Sequence, residues 1–149
     1  MVPVGSDIHK RRCNFSELED GRLHRWPCID NTREAWLEFL SELPPDAEIA
    51  REVSTSSYFT MSVLEEAGWG QRAHGVHTAG IDSPRKQKYD RLDADRLARK
   101  LAVAHLDPLP EAWFPPRAIR ELRLQARQRC WLAVWRAQAK KRVQSLLEM

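Results

Sequence analysis

The sequence contains no apolar run long enough to cross a bilayer, which sets aside a helical membrane protein. Its start is not a secretory signal either. The opening apolar stretch is too short, and His9-Lys10-Arg11-Arg12 follows at once. Cysteine is scarce: Cys13, Cys28 and Cys130 form no C-x-x-C pair and no metal-like spacing with the histidines. This argues against a disulfide scaffold or a zinc module and for free thiols in a reducing, cytoplasmic setting. There is no internal repeat, which removes solenoids and propellers. Net charge is also small, +3 over 149 residues. That near-neutral total hides a basic tail. From Arg117 to Arg142 the charged residues are Arg117, Arg120, Arg123, Arg127, Arg129, Arg136, Lys140, Lys141 and Arg142, against the single acid Glu121. Arg85-Lys86-Gln87-Lys88 is basic too. A basic tail on a near-neutral body points to an anionic polymer partner. With 42% hydrophobic residues the chain can build one ordinary core.

Hydrophobic periodicity predicts an α/β domain. Val2 to Ile8 reads as a buried strand, and Arg12–Leu18 and Leu23–Cys28 as two more, joined through Asp20-Gly21, a strong hairpin signal. Asn31 or Thr32 caps a helix with the stripe Ala35, Trp36, Phe39, Leu40 and Leu43, stopped by Pro44-Pro45. Glu48–Val53 is a fourth strand. Ser54 to Ser57 offers capping hydroxyls to a helix through Tyr58, Met61, Leu64 and Ala67 that Gly68 ends. Trp69–Val76 patterns weakly as a strand, Thr78–Lys88 as a loop, and Asp90–His105 as a helix with Leu92, Leu97, Leu101 and Ala104 inward. Prolines at 108, 110, 115 and 116 mark a connector to one long helix running from Arg117 to the end. Three strands followed by alternating helices and strands give a mixed sheet with helices on its faces. In such sheets the site forms at the carboxyl ends of strands.

Four acids are placed where a carboxylate needs a reason. Asp7 interrupts an apolar strand and Glu52 ends another, while Asp90 and Asp93 lie three apart on one face at the head of a helix. Oxygen ligands of this kind suit hard divalent cations, and two such ions can clamp a phosphodiester. The plain alternative for Asp90 and Asp93 is stabilisation of the helix dipole. Asp95 falls off their face and reads as surface, and His74 and His77 as loop polarity. His9 shares a strand face with Asp7; it either helps position a phosphate or is a surface histidine. Ser54, Thr55 and Ser56 are explained as caps and propose no serine nucleophile.

These residues, in order and spacing, resemble the N-terminal domain of the DEDD transposases, the recombinases of the one-ten group of bacterial insertion sequences. The resemblance is carried by Gly5-Ser6-Asp7-Ile8-His9-Lys10, Asn31-Thr32-Arg33-Glu34, Glu52 ahead of a Ser/Thr turn and Tyr58, Leu64-Glu65-Glu66-Ala67-Gly68, and Lys88-Tyr89-Asp90-Arg91-Leu92-Asp93-Ala94 with Leu97-Ala98. It implies a ribonuclease-H-like fold in residues 1–112, with Asp7, Glu52, Asp90 and Asp93 holding Mg²⁺ or Mn²⁺ for DNA strand cleavage and exchange. It also implies a structured guide RNA as partner. Residues 113–149 correspond to the start of a basic helical stalk, with the family's second, serine-bearing domain absent. The chain is therefore expected to be a truncated product, a remnant or an isolated domain that does not recombine DNA by itself. Departures are Val53-Ser54-Thr55 where Ala-Thr-Gly is usual, Tyr89 in place of a small hydroxyl residue, and a poor match from Gly70 to Gly80.

Lys88, Arg117, Arg120, Arg123 and Arg127 are the expected nucleic-acid contacts. Trp131 and Trp135, at i,i+4 beside Leu124, Val134 and Leu146, suggest a homo-oligomer seam on the same helix. Two rival readings stay open: a non-catalytic nucleic-acid-binding or oligomerisation remnant, and a stand-alone resolvase-like nuclease.

Overall fold

A computed structural model of the chain describes residues 1–53, 57–77 and 90–148, the side chains of residues 90 and 91 excepted. It divides into two compact units, Met1–Trp113 and Phe114–Met149. The first is a six-stranded mixed sheet flanked by helices. Its elements are β1 (Val2–Ile8), β2 (Arg12–Glu19), β3 (Arg22–Arg25), β4 (Ile29–Asp30), α1 (Arg33–Glu42), β5 (Ala47–Glu52), α2 (Ser57–Glu66), β6 (Ala73–Val76) and α3 (Asp90–Ala102). The order across the sheet is β3-β2-β1-β5-β6, with β4 pairing on β2. β1 to β3 form an antiparallel meander, and β5 and β6 add in parallel. This is a ribonuclease-H-like α/β fold.

Local chemistry explains most boundaries. Asp20 and Gly21 both take positive φ, 47° and 75°, as a two-residue hairpin turn of matching twist requires. The Thr32 hydroxyl accepts the Ala35 N–H at 3.3 Å and starts α1. The sheet residues that alternate with Gly5 and Asp7 pack on α1 and α2. Val4, Phe15, Trp36, Phe39, Leu40, Ile49 and Leu64 are buried there in one cluster. Phe15 stacks on Phe39 at 3.9 Å and meets Trp36 edge-on at 5.2 Å. On the other face α3 crosses β1 and covers Ala50 and Val76 with Leu97 and Leu101.

Several elements differ from the sequence reading. The expected strand Leu23–Cys28 stops at Arg25, because Pro27 cannot donate to a ladder, and a separate short strand, β4, follows at Ile29–Asp30; β3 and β4 pair separately with β2. β6 begins at Ala73, not Trp69, because Trp69 is buried in the α1/α2 core. α3 ends at Ala102 instead of His105. Leu92 is exposed, since the buried stripe is Ala94, Leu97, Ala98 and Leu101 and Leu92 lies out of phase with it. His74 is not in a loop. It sits in β6 with Nε2 3.0 Å from Glu48 and Nδ1 2.7 Å from Glu111. The proline-rich connector runs along the outer edge of β6, where Ala112 N–H donates to Gly75 O and His77 N–H to Pro110 O. An edge covered in this way does not invite another strand. The capping hydroxyls at 54–56 and the loop through Lys88 and Tyr89 lie outside the described residues.

The second unit is α4 (Arg117–Leu147), 31 residues long. Leu122, Leu124, Trp131, Leu132, Trp135, Val143 and Leu146 are all exposed along it, and the rings of Trp131 and Trp135 lie 5.0 Å apart. No described helix is long and apolar enough to cross a membrane.

Candidate functional site

Register brings two of the four acids together. β1 and β5 run parallel with Gly5 beside Ala50 and Ser6 beside Arg51, so the next step sets Asp7 beside Glu52. Side chains alternate along a strand. Gly5 and Ala50 face α3, hence Asp7 and Glu52, two residues on, face it as well. Both stand at the carboxyl ends of their strands.

Gly5 brings α3 to the same place. A Cβ on Gly5 would lie 1.9 Å from the Ala94 carbonyl oxygen and 2.4 Å from the Ala98 nitrogen, so helix backbone rests directly on strand backbone. Ala94 and Ala98 are fully buried at this crossing. α3 runs against β1, since Leu101 lines a cleft with Met1 and Glu48 at the opposite end of the sheet. Four residues back from Ala94, just over one helical turn and about 6 Å, is Asp90. Two strand residues on from Gly5, about 6.6 Å, is Asp7. The head of α3, with Asp90 and Asp93, therefore lies level with the acidic strand ends.

The side chains are individually held. Asp7 is buried, with Oδ2 3.0 Å from His9 Nε2. Asp93 is half-buried and accepts from Arg96 at 3.2 Å. Among the described residues no three of His, Cys, Asp and Glu stand close enough to hold a metal ion, a set that omits the Asp90 side chain. Carboxylate oxygens without thiolates are donors suited to a hard divalent cation and not to a soft metal. Cys13 is not a competing nucleophile, because burial pushes its thiol up to about 12.

Asp95 corrects the sequence reading. It is buried, not a surface residue. Its Oδ1 accepts from Ser16 Oγ at 2.5 Å, and Arg25 donates to Oδ2 at 2.6 Å. Burial raises its pKa, but the bonds from Arg25 and Ser16 outweigh this and leave it below the usual carboxylate value. Asp95 thus ties α3 to β2 and β3 beside the Gly5 crossing. A group with a lowered folded pKa contributes stability above its unfolded pKa and loses it as pH falls through the folded one. Asp95→Asn should therefore cost about 1–3 kcal/mol near neutrality, and the deficit should shrink below about pH 4. Urea unfolding of both proteins at pH 7 and pH 3 checks this; an equal deficit at both would assign the effect to shape alone. Buried Arg51, on the α2 side with Met61 Sδ at 3.6 Å, is a second buried charge that strand patterning did not flag.

Lys88 lies outside the described residues. Of the tail arginines, Arg117 pairs with Glu121 at 2.8 Å, Arg120 is buried, and Arg123 and Arg127 are exposed. All four belong to the second unit.

A transposase family model, that of the DEDD transposases of the IS110 group, matches residues 4–149. A comparison with curated proteins finds no relative at significant similarity. The match spans both the sheet domain that gathers Asp7, Glu52 and the head of α3 and the basic helix that follows, and the chain belongs to the DEDD transposases of the IS110 group.

Proposed function

We propose that residues 1–112 are the catalytic domain of this DNA transposase and act by metal-dependent cleavage and exchange of DNA strands. Asp7, Glu52, Asp90 and Asp93 hold Mg²⁺ or Mn²⁺. The observation that carries this reading is the pairing of Asp7 with Glu52 at adjacent parallel strand ends, beneath the head of α3. When bound, the cation supplies Lewis-acid stabilisation of phosphodiester oxygens. The chain's own residues fix the carboxylates: the strands set the spacing of Asp7 and Glu52, His9 orients Asp7, and Arg96 orients Asp93. Residues 113–149 form a basic stalk that engages nucleic acid, a structured guide RNA included. Its exposed Trp131 and Trp135 support self-association through α4.

On this reading four carboxylates drawn to one site repel one another without a cation, so metal should stabilise the folded state. At tenfold excess over its dissociation constant Mg²⁺ should add about 1.4 kcal/mol, a rise of roughly 4–6 °C in Tm. Asp7→Asn should abolish most of that rise. A metal-induced shift that survives Asp7→Asn would remove Asp7 from the site and leave the reading without its anchor.

A further inference from the structure

The β1–β2 turn carries three positive charges beside the acidic site that neither the metal chemistry nor the tail accounts for. Lys10, Arg11 and Arg12 are exposed and, among the described residues, make no ion pair. Arg33, at the start of α1, is by contrast neutralised by Glu66 at 2.5 Å. Across the β2–β4 ladder Asp30 stands opposite Arg12, so three cations on one tight turn face a single neighbouring carboxylate, and the excess positive potential favours an external anion.

Their placement is specific. Asp7 pairs with Asn14 across the β1–β2 ladder. Arg12, two residues before Asn14, lies on the same sheet face as Asp7, a diagonal neighbour at roughly 7–8 Å. Lys10 and Arg11 form the tip immediately beyond the end of β1.

The turn is also braced. His9 N–H donates to Arg12 O at 2.9 Å and closes it. Asn31 then grips it from outside: its N–H donates to Arg11 O at 2.8 Å and its side-chain amide to His9 O at 2.9 Å. The indole N–H of fully buried Trp36 donates to Asn31 Oδ1 at 2.9 Å, anchoring the brace in the core. A rigid cationic turn loses little conformational entropy when it meets an anion.

We propose that Lys10, Arg11 and Arg12 form a seat for the phosphodiester backbone of DNA, holding the strand against the acidic end of the sheet, with Arg12 nearest the carboxylates. Asn31 and Trp36 are positioning residues that fix the turn. The inference rests on the catalytic reading for why a strand must lie there. The physical logic is charge balance: a phosphate chain approaching carboxylates is repelled, and the turn supplies positive potential at the mouth of the site.

The test uses the full chain and a fluorescein-labelled 20-base-pair DNA duplex, with binding followed by anisotropy from 50 to 300 mM salt. Replacing Lys10, Arg11 and Arg12 by Gln should weaken binding at least about tenfold at 100 mM salt. The slope of log affinity against log salt should become shallower by about 2–3, near 0.9 for each phosphate no longer neutralised. Restoring charge with Arg11→Lys and Arg12→Lys, Lys10 unchanged, should restore most of the slope. A glutamine variant with unaltered Tm and an unaltered slope overturns the seat. A slope change seen only with an RNA duplex of the same sequence overturns its assignment to DNA. The glutamine variant should keep the wild-type Mg²⁺-induced rise in Tm. Absence of that rise in the wild type would sink the catalytic reading while leaving the salt slopes to judge the turn.

Discussion

Gly5→Ala is expected to lower stability by about 3 kcal/mol or more, beyond the usual range for overpacking a core. The added methyl would meet Ala94 O at 1.9 Å and Ala98 N at 2.4 Å, where ordinary contact begins at 3.4 Å. Relief requires α3 to retreat by about 1.5 Å, the difference between 3.4 and 1.9. No rotamer change can provide it, because all the atoms involved are backbone or Cβ. Retreat opens space beneath Leu97 and Leu101, which are 2% exposed, and weaker packing adds to the clash. It also carries the head of α3 away from Asp7 and Glu52. Thermal melting should show a drop of roughly 10 °C or more, against about 4 °C per kcal/mol for a domain of this size. Two controls sharpen the reading. Ala94→Gly should not rescue the variant, since the clash is with the carbonyl and not with the Ala94 methyl; rescue would refute the backbone contact. Gly21→Ala, with nothing within 4 Å but φ of 75°, should cost only about 1–2 kcal/mol of backbone strain.

The same glycine shows where sequence reasoning reaches and where it stops. Local chemistry was readable: Asp20-Gly21 specified the turn, Asn31 or Thr32 the cap, with Thr32 serving, and the spacing of Trp36, Phe39 and Leu40 the inner face of α1. A glycine inside a strand is itself a signal of close backbone approach, but it does not say which element approaches. That depends on α3 packing through alanines, whose weak hydrophobic signal left Leu92 to be read as core and Asp95 as surface. Once Ala94, Leu97, Ala98 and Leu101 are known to be the buried stripe, Asp95 falls on its flank toward β2, where Ser16 and Arg25 meet it. The acids stood out for a similar reason. A carboxylate in an apolar strand is conspicuous, so Asp7 and Glu52 could be singled out individually. Their adjacency is a property of the parallel β1–β5 register, which no local pattern encodes. The β1–β2 turn was legible as a charge run, while the Asn31 brace joins residues 22 apart in sequence and becomes visible only in three dimensions.

DNA affinity carried by the second unit should collapse with salt, by about 10³ to 10⁵ between 50 and 200 mM if six to ten phosphates are contacted. At 100° per residue, Arg129, Arg136 and Lys140 fall within about 40° of one another along α4, and Arg123, Arg127 and Lys141 make a second such stripe. Leu124, Trp131, Trp135 and Leu146 lie between the stripes over about 60°. Two basic flanks around an exposed apolar seam allow α4 to pair through the seam while phosphates track the flanks. Arg117, paired with Glu121, and buried Arg120 contribute least on this geometry. Replacing Arg129, Arg136 and Lys140 by Gln should reduce the salt slope by about 2–3, and replacing Arg123, Arg127 and Lys141 by a similar amount. Trp131→Ala with Trp135→Ala should instead shift the sedimentation profile toward monomer. Any weakening of DNA binding it causes should depend on protein concentration, with the salt slope per chain unchanged. Glutamine variants of both stripes that bind with the wild-type slope would show that the tail's charge is merely solvated, and would leave α4 as a packing helix.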